Sequence, residues 1–237
     1  MNPPSIRSID LNADLGEGFP NDRVILDFVT SASVCCGAHA ADRAVILETL
    51  REVAQHHVIL GAHPGFADRD HFGRREQVTS ARAVEQLVLG QVDALALLAA
   101  EVGLVIQYVK PHGALYNQAQ RQAEVAEGVL SAMVRLQLPV LGQPGSLLEA
   151  SAKVRGVPFV IEGFPDRRYR DDGRLVPRSE PNAILNDSRE IESQVLRLVD
   201  DGVASFCIHG DDPRAVENAR TIRTLLEQHA IVLKGFV

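Results

Sequence analysis

Residues able to move protons or hold anions recur at a few defined points of this sequence. They lie in Asp10-Leu-Asn-Ala-Asp14-Leu-Gly-Glu17-Gly, in Gly37-Ala-His39-Ala-Ala-Asp42, and in Gly61-Ala-His63-Pro-Gly running into Phe72-Gly-Arg74-Arg75. They continue in Lys110-Pro-His112-Gly-Ala-Leu-Tyr116-Asn117, in Glu162 followed by Asp166-Arg167, and in His209-Gly-Asp211-Asp212-Pro213. Carboxyl and imidazole groups suit general acid and base work on water, alone or with a metal. No Gly-x-x-x-x-Gly-Lys-Ser/Thr, Gly-x-Gly-x-x-Gly, Gly-x-Ser-x-Gly or His-Glu-x-x-His is present. A P-loop ATPase, a Rossmann dehydrogenase, a serine hydrolase of the α/β class and a zincin are therefore disfavoured. The inventory points to hydrolysis of an amide-like bond by activated water.

Lys110 stands out by composition. The chain has three lysines against 21 arginines. Arg is its generic cation, so a Lys between Val109 and Pro111-His112 marks a place that wants a compact ammonium, suited to a phosphate, carboxylate or oxyanion. Other positions admit two readings. Asp10 and Asp14 are ligands of a site or a turn residue and a cap acceptor. Asp42 is an N-cap or a ligand, and Asp211 or Asp212 before Pro213 resembles an N-cap with Pro at the first helical position. Asp166 to Arg178, with five arginines, is a solvated loop or an anion-receiving lid.

The groups fall after short apolar runs. Strands are expected at Ser8–Ala13, Ser33–Cys36, Val58–Gly61, Val105–Val109, Val140–Gly142, Phe159–Glu162 and Ser205–Ile208, with Ile231–Leu233 as an eighth. Helical periodicity lies between them, at Ala44–Gln55, Ala81–Val102, Ala126–Leu136, Ser146–Val154, Glu190–Val199 and Arg214–Gln228. Short, nearly continuously apolar strands alternating with helices imply a parallel sheet covered by helices. Seven or eight such units without a break fit an α/β fold of the (β/α) barrel, TIM-like kind, in one domain over 1–237; a doubly wound open sheet is the alternative. In either fold the loops after the strands converge on one face, which gathers His39, His63, His71, His112 and His209 toward a common site.

Bulk properties narrow the partners. Net charge is −7 and no long basic block exists, which argues against nucleic-acid binding. Cys35, Cys36 and Cys207 build no disulfide framework and read as small buried apolar residues. Met1 to Ser8 lacks the apolar core of a signal peptide, and Ala94 to Val109 is too interrupted for a membrane span. A cytoplasmic protein acting on a small molecule is expected, with self-association into a homo-oligomer left open.

The stretches Asp10 to Phe19, Gly61 to Gly65, Phe72 to Arg75, Val109 to Asn117, Asp166 to Tyr169, Asp172 to Arg178 and His209 to Asp211 resemble the LamB/YcsF family, the A subunits of 5-oxoprolinase, in order along essentially the whole chain. The resemblance implies a barrel of the glycoside hydrolase/deacetylase type. It implies opening of the 5-oxo-L-proline lactam to L-glutamate with consumption of ATP, in a complex with 5-oxoprolinase subunits B and C. Carried onto this chain, Asp14 or Glu17 would be the general base, and Lys110 with Arg74 or Arg75 would stabilise anions. His63 and His112 would transfer protons or, with Asp14, hold a divalent metal. Asp10, Asn12, His39, Asn117, Glu162, Asp166, Arg167, His209 and Asp211 would join the arginines in binding substrate. The chain departs from the family where Ser-Ala-Asn-Ile-Ala-Cys-Gly-Phe-His-Ala-Gly-Asp becomes Ser31-Ala-Ser-Val-Cys-Cys-Gly-Ala-His-Ala-Ala-Asp42, giving a roomier wall at Ala38. A weaker likeness to YdjC-type deacetylases, whose second acidic residue is Leu15 here, keeps a stand-alone metal-dependent amidase or carbohydrate deacetylase as an alternative. A noncatalytic substrate-binding subunit is another.

Overall fold

The computed structural model describes residues 7–171, 173–176, 180–185, 187–210 and 213–237, with His209 described by its backbone alone. Eight strands form: β1 (Ser8–Leu15), β2 (Ser31–Cys35), β3 (Ile59–His63), β4 (Tyr108–Val109), β5 (Val140–Gly142), β6 (Phe159–Gly163), β7 (Ser205–His209) and β8 (Val232–Leu233). All pairings between them are parallel. β1 pairs with β2 on one side, Asp14 against Ser33, and with β7 on the other, Asp14 against His209. That double pairing closes β1 to β7 into a ring and sets aside the open sheet. β8 joins only the start of β1, at Ser8 and Ile9.

Side-chain alternation along β1 explains the interior. Leu11, Ala13 and Leu15 enter the hydrophobic core shared with the helices. Asp10, Asn12 and Asp14 take the other face, and all three are buried. The barrel interior is thus polar as well as closed.

The helices are α1 (Asp22–Ile25), α2 (Arg43–Gln55), α3 (Ala81–Ala100), α4 (Gly113–Ala119), α5 (Ala123–Leu136), α6 (Leu147–Arg155), α7 (Ser188–Asp200) and α8 (Ala215–Gln228). Asp42 proves to be the α2 N-cap, its carboxylate accepting from the N–H groups of Ala44 and Val45 at 2.9 and 3.0 Å. Ser80, Ser146 and Asp187 cap α3, α6 and α7 in the same way. Among the described residues α3 is the one helix long and apolar enough to cross a membrane. Here its row Val84, Val88, Val92, Leu95 and Ala99 is buried, and the helix packs on α5. Each Val or Leu side chain of that row contributes about 1.5–3 kcal/mol on full burial.

Two local expectations shift. β4 begins at Tyr108, because Val105 is 74% exposed in the link that follows α3. Residues 113–119, within a presumed loop, form α4: the segment is too short to show a helical period, and buried Leu115 and Tyr116 hold it to the barrel.

Gly61 on β3 is required by close approach. A Cβ there would lie 2.1 Å from Cζ of Tyr108, whose hydroxyl is held by Ser33 at 3.0 Å across the barrel. Gly61→Ala is expected to cost about 1–3 kcal/mol by overpacking. Chemical denaturation checks this; an unchanged midpoint would mean that the ring moves freely.

Candidate active site

Lys110 follows β4 directly, and its ammonium reaches the barrel axis. Nζ lies 2.8 Å from Asp14 Oδ1, 2.8 Å from Glu162 Oε1, 3.1 Å from Asn12 Oδ1 and 2.9 Å from Cys207 Sγ. The partners come from β1, β6 and β7. Asn12 splints the group: its amide donates to Glu162 Oε1 at 3.1 Å, to Ser205 Oγ at 2.8 Å and to the Phe206 carbonyl at 3.1 Å. Lys110 is the one buried lysine among the described residues. Its ammonium is held well above the usual range: burial disfavours the charge, but the Asp14 carboxylate beside it outweighs burial.

Beside this group stand three imidazoles. His63 Nδ1 is 2.7 Å from the Lys110 carbonyl, and His112 Nε2 is 2.8 Å from the Phe72 carbonyl. A carbonyl only accepts, so each of those nitrogens carries the hydrogen. In the neutral rings the other nitrogens, His63 Nε2 and His112 Nδ1, are then acceptors, and they face each other at 3.0 Å. Glu17 Oε1 joins them, 3.2 Å from His112 Nδ1, 3.8 Å from His63 Nε2 and 3.1 Å from His39 Nε2. The His39 ring stacks on His112 with centroids 3.7 Å apart and planes within 1°. Gly73, at φ +63°, makes this possible, since a Cβ there would come within 2.8 Å of the His39 Cβ. Asp14 links the two halves, Oδ1 on Lys110 and Oδ2 3.5 Å from His63 Nε2.

Three acceptors pointing at one another repel unless a proton or a cation lies among them. Burial pushes His63 down to about 3, and lowers His39, so these rings are neutral, each with a single N–H, near neutrality. Glu17 stays ionised: burial would raise it, but the imidazoles of His112 and His39 beside it carry it well below the ordinary range. A carboxylate with three imidazoles, all offering ligand atoms within 4.8 Å of one another, is a donor set for a zinc-like ion. The backbone carbonyls behind His63 and His112 are the outer partners that fix the ring tautomers for ligation.

Residues 9–237 match the LamB/YcsF family. The chain belongs to that family. Proteins named as the A subunit of 5-oxoprolinase, from Thermus thermophilus and Nocardia farcinica, are 39% and 40% identical to it over 248 residues, covering 96% and 97% of this chain and 99% of each relative. The crystal structure of a lactam utilization protein from Thermus thermophilus matches with a TM-score of 0.88 at 38% identity, over 97% of this chain and 100% of that one. A family 4 carbohydrate esterase from Streptomyces lividans, solved with acetate, shares the fold at a TM-score of 0.54 and 10% identity, over 98% of this chain and 93% of its own.

The LamB/YcsF motifs divide on the structure. Asp14, Glu17, His39, His63, Lys110, His112, Asn12 and Glu162 come together. Glu17 and His39 join His63 and His112 as potential ligands, while Asp14 stands aside on Lys110. Asp10 faces the interior lower in β1, where its carboxylate accepts from Thr30 at 2.6 Å, from Ser31 at 2.9 Å and from Ser205, tying β1 to β2 and β7. Arg74 lies at the rim, its guanidinium 4.9 Å above the Phe72 ring, which in turn meets His112 edge-on at 5.3 Å. Arg75 and Asn117 are exposed, and His71 pairs with Asp68 at the surface. Asp166 and Arg167 are buried in the segment after β6: Asp166 accepts from Asn218 at 3.2 Å, and Arg167 donates to the Val176 carbonyl at 2.8 Å. The His209 side chain, Asp211, Asp212, Asp172 and Arg178 lie outside the described residues.

Sequence reasoning assigns no role to Cys207 or Tyr116 at the site. Cys207 is more than an apolar filler, since it accepts from Lys110, and burial keeps its thiol protonated. Its spacing of two from Ser205 on β7 is the available signal. Cys36 is only half-buried.

Dialysed against metal-free buffer after exposure to zinc, the purified protein is expected to retain about one equivalent by elemental analysis. The double variant His39→Gln with His63→Gln is expected to lose it. Full retention by the double variant would place the ion elsewhere.

Proposed function

We propose that this protein opens the lactam of 5-oxo-L-proline to L-glutamate, as the A component of an ATP-consuming 5-oxoprolinase that works with subunits B and C. The observation that carries this reading is the buried ammonium of Lys110, set between two carboxyls and joined through Asp14 to an imidazole group. It sits in a chain whose relatives are named for 5-oxoprolinase and for lactam utilization. A lactam resists water because attack must break amide resonance. The site offers an oxyanion partner in Lys110 and a base in Asp14, whose carboxyl burial would raise but which Lys110 helps to hold below its ordinary value. Water loses a proton to the Asp14–Glu17 side as its oxygen bonds to the carbonyl carbon. The oxygen charge that develops meets Lys110. The carbon–nitrogen bond then breaks and the nitrogen takes up a proton.

ATP enters as the driving force. Transfer of its terminal phosphoryl group to the amide oxygen makes the carbon electrophilic; one water adds there and the carbon–nitrogen bond breaks, leaving an acyl phosphate that a second water cleaves to L-glutamate and phosphate. Bound at Glu17, His39, His63 and His112, a divalent ion would supply Lewis acidity and a water of lowered pKa. Arg74, beside Phe72, would meet the substrate carboxylate.

The Glu17–His39–His63–His112 group also favours a second reading, a metal-dependent amidase or deacetylase acting alone. Reconstitution separates the two. With subunits B and C, glutamate and phosphate are expected to appear in step and only when 5-oxoproline is present, with Asp14→Asn or Lys110→Met slowing both by about 10²–10⁴-fold. Phosphate release without 5-oxoproline would remove the coupling. Full activity in either variant would remove the residue assignments. Hydrolysis of N-acetyl sugars by the protein alone would select the second reading.

A further inference from the structure

Two carboxyls touch Lys110 at the same distance, 2.8 Å, yet their surroundings differ. Asp14 continues to His63, so a proton it accepts has an outlet into the imidazole group. Glu162 faces the other way. Its second oxygen, Oε2, is buried without a hydrogen bond of normal geometry, and so is the Tyr116 hydroxyl beside it. Around them stands Phe164, which packs with Tyr116 and Cys207, and whose ring centre is 6.0 Å from Lys110 Nζ. Oε1 is fixed by Lys110 and by the Asn12 amide, so the carboxyl cannot swing away.

A lactam whose carbonyl oxygen rests on the Lys110 ammonium has its nitrogen two bonds from that oxygen, beside one of the two flanking carboxyls. Asp14 is the carboxyl joined to the base system. Resting on the 5-oxoprolinase reading above, we infer that Glu162 is the acid of the reaction, the residue that protonates the ring nitrogen as it leaves. The step balances: the carbon–nitrogen electron pair goes to nitrogen, the Glu162 O–H bond breaks, an N–H bond forms, and the carboxylate left behind regains the proton that water gave up. Burial raises the Glu162 carboxyl against the pull of Lys110, which suits it to hold the proton that the step needs.

The test compares leaving groups in the complex with subunits B and C. The probe is 5-oxothiolane-2-carboxylate, the substrate ring with sulfur in place of N–H, whose thiolate leaves without a proton; thiol release reads its opening. Glu162→Gln is expected to slow lactam opening by about 10²–10⁴-fold and to leave thiolactone opening within a few-fold of wild type. Glu162→Asp, which keeps a carboxyl, is expected to recover part of the lactam rate. Asp14→Asn is expected to lose both activities. Equal losses on both rings in Glu162→Gln, or an undiminished lactam rate, would overturn the assignment. A wild-type complex that opens the thiolactone and not the lactam would overturn the 5-oxoprolinase reading, and this inference with it.

Discussion

One ammonium inside the barrel organises everything around it. Removing a charge of this kind from water costs several kcal/mol, even after relaxation. The barrel offsets that cost by supplying two carboxyl oxygens, an amide oxygen and a thiol sulfur to a group with three hydrogens. The carboxyls depend on it in return. Without Lys110, the Asp14 carboxylate would be left in a buried site with no compensating charge, a situation that typically costs about 3–5 kcal/mol. The lysine therefore holds the interior of the barrel together.

The closed ring turns this local requirement into geometry. β1 pairs on both sides, so its inward residues Asp10, Asn12 and Asp14 run as a ladder along the axis. Asp10, low in the ladder, is consumed by hydroxyls of β1's neighbours and holds strands together. Asn12, in the middle, aligns Lys110 and Glu162. Asp14, near the mouth, joins the ammonium to the imidazoles. The partners thus change along the strand, from strand-tying hydroxyls at Asp10 to an ammonium and an imidazole at Asp14. The loops complete it: the carbonyl of Phe72 orients His112, and the carbonyl of Lys110 itself orients His63. The residue that carries the charge also sets the tautomer next to it.

Much of this is legible in the sequence. The barrel follows from apolar runs alternating with helical periods, and the site from polar residues that fall just after those runs. Lys110 is conspicuous because the chain otherwise uses arginine. What stays hidden depends on partners far apart in the chain. Asp10 and Asp14 share a residue type and a strand face, and only cross-strand neighbours distinguish a strand tie from a partner of the ammonium. Cys207 meets Lys110 across 97 residues, which no local pattern reports. The stack of His39 on His112 depends on a glycine in a third loop, so ligand sets drawn from motifs alone choose Asp14 where the structure gathers Glu17 and His39. α4 escapes because seven residues are too few for a periodic signal.

The claim that one ammonium divides two carboxyls into unlike roles is tested most directly by carbon-13 NMR of the Asp14 and Glu162 side-chain carboxyls, assigned by substitution and followed across the pH range in which the protein stays folded. Glu162 is expected to take up its proton at a higher pH than Asp14, which stays ionised well into the acid range. Coincident titration of the two, or a Glu162 that remains ionised below the pH at which Asp14 protonates, would contradict the account.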